Sequence, residues 1–409
     1  MTLSRLSLTA ILPLELAVKQ RKELLKRYPW QHWTKGLDDN SVTDQRRFYN
    51  RSTVDLFRPL QAGRWRLTMD QALGGPLLLA DNSKVKLQSL TLVQLDQRLL
   101  VYLNISAEEV AADEVYELQR QIVSFFPKNQ HIQLPHWQYG KQSKPLQEWL
   151  EQLFELRFCH DNQYVDDWFG HELPYCLQLE NANGKRLNDQ LINLAAGAQP
   201  SKPGYRLADG EFKRLSDSCF SVWEDWQALQ AYHRLIFISE KGSAALNMNL
   251  QQLQYYVDLF ALGLVQRLAL DGFQQQFTGA TKKEFKQLTT KINRFRQTFN
   301  ITQVCSYPLA QRLYDYFVQR LQLRELEGRV FKEIEYHHQE QQREQAGRFN
   351  IMLFSISVVA ALILPLEALS TLLSLPEAQR TGDFWWSVGA GSLAILLIMV
   401  APVIVRRKL

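Results

Sequence analysis

The residue of this chain best placed to do chemistry is a carboxylate in an apolar run. Glu367 is the single charged residue between Ile351 and Leu375. An ionisable group in so apolar a segment is costly unless it faces water, a partner or an ion. At a seven-residue period it shares one helix face with Asn350, Leu353, Ser357, Ala360, Leu364, Thr371 and Ser374, which together hold most of the small and polar residues of the run. Repeated around an axis, such a stripe would line an aqueous path, and Glu367 would form a ring of carboxylates that concentrates cations. Glu377 and Asp383, in the short stretch that follows, would add negative charge at its mouth. The plainer reading is structural: Glu367 snorkels outward or pairs with Arg380, and Asn350 hydrogen-bonds a neighbouring helix.

Other chemistry is weaker. The stretch HDNQYVDDWFGHE gathers Asp161, Asp166 and Asp167 with His160, His171 and Glu172. Oxygen ligands of this kind suit divalent cations, but no spacing matches a defined metal motif, and a solvated loop explains it as well. Glu335, His337 and His338 could hold a transition metal or simply form a polar helix face. Lys282, Lys283, Lys286, Lys291, Arg294 and Arg296 make one helix strongly basic, either as a solvated face or as a surface for an anion. No phosphate loop, GxGxxG, GxSxG or HExxH occurs, so neither an enzyme nor an organic cofactor is expected. A net charge of +5, from 47 basic and 42 acidic residues, does not point to nucleic acid. The four cysteines, Cys159, Cys176, Cys219 and Cys305, are far apart and read as reduced thiols.

The elements that must position these residues follow from hydropathy. A mean hydropathy of -0.27 hides two apolar runs, 350–375 and 384–405. Each is long enough, at about 1.5 Å per residue, to cross a hydrocarbon core of about 30 Å. The linker 376–383 allows only a hairpin. Arg343 and Arg348 precede the first run, and a basic tail, 406–409, closes the second, which places both termini in the cytoplasm of a multi-pass inner (plasma) membrane protein. Membrane lipid is then one partner.

Residues 1–245 read as a cytosolic α+β or α/β domain, with strands at 64–69, 175–185 and 233–239 and a hairpin across 89–106. Ser106 to Glu109 resembles a capping box that opens a helix. A helical hairpin follows over 246–300, from apolar stripes at spacings of three and four. A stalk helix over 307–349 has no proline before Pro365 and should run unbroken into the first span. So long a helix calls for packing partners, most naturally further copies of the chain.

This order of elements, with Asn350, fourteen residues, then Pro365-Leu366, resembles the CorA family of magnesium and divalent-cation transporters. The resemblance implies a homopentamer that conducts Mg2+ or a transition metal, gated by its cytosolic domain, with a divalent cation as the transported or sensed ion. One departure is plain: the family's Gly-Met-Asn is absent, and Ser374-Leu375-Pro376 stands in its place. Two alternatives share the layout, a ligand-gated membrane effector of antiviral defence and a non-conducting membrane scaffold.

Overall fold

The computed structural model describes residues 2–14, 18–32, 47–50, 64–95, 98–126, 133–156, 172–181, 189–198, 206–240, 242–277, 279–299 and 303–374, with single positions at 53 and 56 and between 382 and 393. Two compact units result, Met1–Val330 and Phe331–Leu409.

The first unit is built on one sheet of eleven strands. In chain order they are β1 (Thr2–Leu14), β2 (Gln31–His32), β3 (Arg64–Thr68), β4 (Leu77–Leu79), β5 (Asn82–Leu95) and β6 (Arg98–Ala111). The remainder are β7 (His136–Tyr139), β8 (Gln142–Pro145), β9 (Tyr175–Asn181), β10 (Trp226–Ala231) and β11 (Arg234–Glu240). Their spatial order is β10-β11-β9-β1-β6-β5-β4-β7-β8, with β3 also on β5 and β2 on β3. Strands β9 and β11 run parallel, and the other pairings are antiparallel.

Both faces of the sheet are covered, which explains why its central strands are near-continuous apolar runs rather than alternating ones. In β6, Leu99, Val101, Leu103 and Ile105 point to one core. Leu100 and Tyr102 point to the other. The first core packs under α1 (Val18–Arg27), α3 (Ala112–Val123), α4 (Leu146–Phe154), α5 (Asp189–Ala196) and α6 (Asp209–Asp217), while the short α2 (Met69–Leu73) caps the end of β3. The second core packs under a helical layer: α7 (Ala244–Asn247) with the π-turn Met248–Gln252, α8 (Tyr255–Phe277), α9 (Lys282–Phe299), α10 (Pro308–Arg320) and the start of α11 (Leu323–Leu373). Helix α8 is buried on nearly all sides from Tyr255 to Leu270, because the sheet lies on one flank and other helices on the rest.

The expected strands and the 89–106 hairpin are present, as is the helical hairpin, now α8 and α9. Three expectations are corrected. Ser106 to Glu109 does not open a helix: those residues extend β6, paired with Ser7, Leu6 and Arg5 of β1, and the helix starts only at Ala112. The helix from residue 308 is not continuous. It stops at Arg320 and restarts at Leu323, with Gln322 at φ 54 between.

The third correction is the largest. Among the described residues no helix is long and apolar enough to cross a membrane. This overturns the two transmembrane helices at 350–375 and 384–405 and the multi-pass inner-membrane placement and channel architecture built on them. Helix α11 is a mixed element: its first half carries Arg324, Glu325, Glu327, Arg329, Lys332, Glu333, Glu335 and Glu340. Phe349, Ile351, Met352, Phe354 and Ile356 further along this helix are exposed.

Candidate ligand cleft and buried ion pairs

A cleft of about 320 Å³ opens in the helical layer. Helix α8 supplies Gln266 and Leu270, α9 supplies Phe295, Arg296 and Phe299, α10 supplies Tyr314, Asp315 and Val318, and the first turns of α11 supply Leu323, Arg324 and Glu327. Each wall follows from local sequence. Helix α9 begins at a capping box in which the Thr281 N–H and hydroxyl both donate to Glu284 Oε2, at 2.8 and 2.7 Å. That start fixes the phase of the helix, so Phe285, Leu288 and Ile292 turn inward. Lys282, Lys283, Lys286, Lys291 and Arg294 then fall on the exposed side, and Arg296, at the edge of the buried arc, reaches the cleft.

The floor is apolar and aromatic, with one polar couple: the Tyr314 hydroxyl donates to Gln266 Oε1 at 2.8 Å. The Gln266 amide donates in turn to the Phe299 carbonyl at 3.4 Å. Burial pushes the Tyr314 hydroxyl well above its usual range, with only partial relief from Gln266, so it is a fixed donor and not a base. At the rim stand two cations, Arg296 and Arg324, and two carboxylates, Asp315 and Glu327, largely exposed. A shape of this size, with apolar walls and a few convergent polar groups, is suited to hold a small molecule.

Two buried ion pairs lie elsewhere. Asp258 on α8 and Arg64 at the head of β3 are 2.7 Å apart, with side chains 0% and 2% exposed. Asp258 also accepts from the hydroxyls of Tyr102 at 2.9 Å and Tyr49 at 3.1 Å. Arg64 continues to Gln254 at 2.8 Å, whose amide reaches Asn104 at 2.7 Å. Asn104 in turn donates to Ser89 and Thr91 on β5. The polar positions of β5 and β6 on the second face are thus joined to the start of α8. Complete burial raises the Asp258 carboxyl above the ordinary range, while Arg64 and the two hydroxyls pull it back. Burial and the Asp258 charge raise both tyrosines. The Asp258 carboxylate and two of the Arg64 nitrogens are paired out of contact with water, and the network is a structural lock.

In the second pair, Glu172 accepts from Arg234 at 2.6 Å, and His233 Nε2 lies 3.5 Å from the same oxygen. Gly197, just past α5, sits against this guanidinium. It closes the helix with its N–H on the Leu194 carbonyl, and φ is +73. A Cβ at this position would run into Arg234 Nη1. Gly197→Ala should therefore lose about 2 kcal/mol, from the left-handed conformation and from displacing Arg234 off Glu172. Thermal unfolding measures it, and a loss below about 0.5 kcal/mol would mean that the guanidinium simply steps aside.

The residues expected at an ion path lie along α11 or beyond the described residues. Asn350, Leu353, Ser357 and Ala360 are exposed on α11, where the Ser357 hydroxyl donates to the Leu353 carbonyl at 2.8 Å. Leu364, Glu367 and Thr371 follow on the same helix, and Ser374 ends it as an exposed turn. Glu377, Asp383, Asp161, Asp166 and Asp167 lie outside the described residues. Among the described residues no group of three or more His, Cys, Asp or Glu side chains could hold a metal ion. His337 instead lies 3.7 Å from Glu333 and 3.8 Å from Glu340 on its own helix. Cys176, Cys219 and Cys305 are free thiols.

No protein-family model matches this chain, and neither a curated protein nor a solved structure shows significant similarity to it. The resemblance to CorA therefore rests on the sequence pattern alone.

The sequence does not point to the cleft, although Arg296 belongs to the basic run. Its walls come from four helices, and no local spacing brings Gln266, Phe299, Tyr314 and Arg324 together. Asp258 did leave a signal: it is the one acid in YYVDLFALGLV. An ionised group in so apolar a helix requires a buried counter-charge.

Proposed function

We propose that this protein is a binding module that recognises a small ligand in the cleft between α8, α9, α10 and α11, without catalysing a reaction. The observation that carries this reading is the lining: an aromatic floor of Phe295, Phe299 and Tyr314 beneath a rim with charges of both signs. A molecule that fits has a flat apolar part and both an anionic and a cationic group, so that Arg296 or Arg324 meets the anion and Asp315 or Glu327 the cation. The placement of the perturbed groups supports a binding reading. Asp258 and Glu172 are paired away from the cleft, and Tyr314 inside it is held protonated. Divalent-cation transport depended on the two membrane spans, and is not part of this proposal.

The test is calorimetric titration of the full chain with L-tryptophan, tryptamine and indole-3-acetate. The zwitterion is expected to bind about tenfold more tightly than either singly charged analogue, since each lacks one rim partner. Val318→Trp, which fills the cleft from α10, should abolish binding and leave the fold intact. Binding by none of the three, or undiminished binding in V318W, would overturn the proposal.

A further inference from the structure

The cleft straddles a break in the chain that its sequence does not demand. Helices α10 and α11 are separated only by Leu321 and Gln322. Neither is glycine or proline, and nothing between Pro308 and Gly328 obliges a helix to stop. Yet Gln322 adopts φ 54, a left-handed conformation that a residue with a Cβ disfavours. Local propensity favours one continuous helix, and tertiary contacts hold a broken one.

Those contacts bury Leu321 and Leu323 in the core of the helical layer. Arg267 Nη1 donates to the Leu321 carbonyl at 3.2 Å, and the Leu321 side chain fits against Gly263 on α8. The Leu321 and Gln322 amides return to Phe317 and Gln319 at 2.8 and 3.1 Å. Tyr314, Asp315 and Val318 line the cleft before the break, and Leu323, Arg324 and Glu327 line it after. Rotating Gln322 to right-handed dihedral angles would make the two helices coaxial and carry the second group out of the wall. The complete cleft belongs to the broken form.

We infer that the Leu321–Gln322 joint has two states, broken and continuous, and that a small molecule in the cleft selects the broken one. The inference rests on the ligand reading above and gives that site a regulatory output. A ligand that touches both sides of the joint binds one state better, so its occupancy sets the ratio of the two by linkage. What it controls is whether α11, which runs on to Leu373, starts coaxial with α10.

The experiment compares wild type, Gln322→Val and Gln322→Gly as full chains. Valine is β-branched and resists the left-handed conformation, whereas glycine accepts it. Q322V should bind L-tryptophan about tenfold more weakly while its melting temperature holds, because the protein moves to the continuous state and does not unfold. Without L-tryptophan, the amides of Leu323, Arg324 and Glu325 should exchange hydrogen more slowly in Q322V, since a continuous helix supplies acceptors four residues back. Q322G should bind at least as tightly as wild type. If Q322V binds as wild type does but melts lower, the joint is rigid and the inference fails while the ligand reading stands. Failure of wild type to bind L-tryptophan removes that reading and the ligand selection with it. Unchanged exchange at 323–325 in Q322V removes the two-state joint by itself.

Discussion

Asp258→Ala is expected to destabilise the first unit by about 3–5 kcal/mol, the range for removing one member of a buried ion pair. The Arg64 guanidinium, 2% exposed, would keep its charge with no carboxylate at 2.7 Å. The hydroxyls of Tyr49 and Tyr102 would lose their acceptor in the same step. Urea unfolding reads the change as a fall in midpoint at constant slope. The double variant Arg64→Met, Asp258→Leu should recover a large part of the loss. Its side chains can fill the space, and the charge that had to be compensated is gone, although the two tyrosine hydroxyls no longer have the Asp258 acceptor. A single-variant loss below about 1 kcal/mol would show that water reaches Arg64 and that the lock is not dry.

The second large effect is acid sensitivity through Glu172. Burial alone would raise its pKa, but the hydrogen bonds and charges of His233 and Arg234 reverse the sign and bring it from 4.5 to about 2. A carboxylate with a depressed folded value stabilises the protein fully above about pH 4.5, and this contribution drains away as pH falls towards 2. The shift corresponds to about 3 kcal/mol for a group this well buried. In Glu172→Gln the stability deficit against wild type should be about 3 kcal/mol at pH 6 and close to zero near pH 2, since the glutamine cannot titrate. His233, lowered chiefly by burial, also destabilises on acidification, but from its own higher range downward. Asp258 titrates alike in both proteins and cancels in the difference. A deficit that stays constant from pH 6 to pH 2 would assign the loss to packing instead of charge.

How much of this was legible beforehand differs by residue. Strands such as Arg64–Thr68 and Arg234–Glu240 announced themselves because β-branched and apolar residues cluster between turn signals. The α8–α9 hairpin showed through its three-and-four spacing. Ser106 to Glu109 misled because a capping-box pattern is local, while pairing with β1 is decided by a strand about a hundred residues away. The run after Asn350 misleads in a different way: its apolar length predicts a span, and the structure offers no described helix of the required length and hydropathy. Of the cleft, Arg296 belongs to the basic run and Phe295 and Phe299 to the apolar stripe of the same helix, but nothing local joins them to the other walls. Gln322 could not be foreseen at all, since glutamine carries no preference for the left-handed conformation.

Strand β1 has a bearing on how the chain finds this structure. It is the seam of the sheet: Leu8 faces Ile105 of β6 on one side and Leu177 of β9 on the other. During synthesis β1 waits while roughly 100 more residues are made before its first neighbour exists, and roughly 170 before its second, at about 5–20 residues per second. For many seconds its apolar face has no lawful place to go. A topology so dominated by distant pairings should fold slowly, and nascent chains stopped short of β9 should be the ones that chaperones hold.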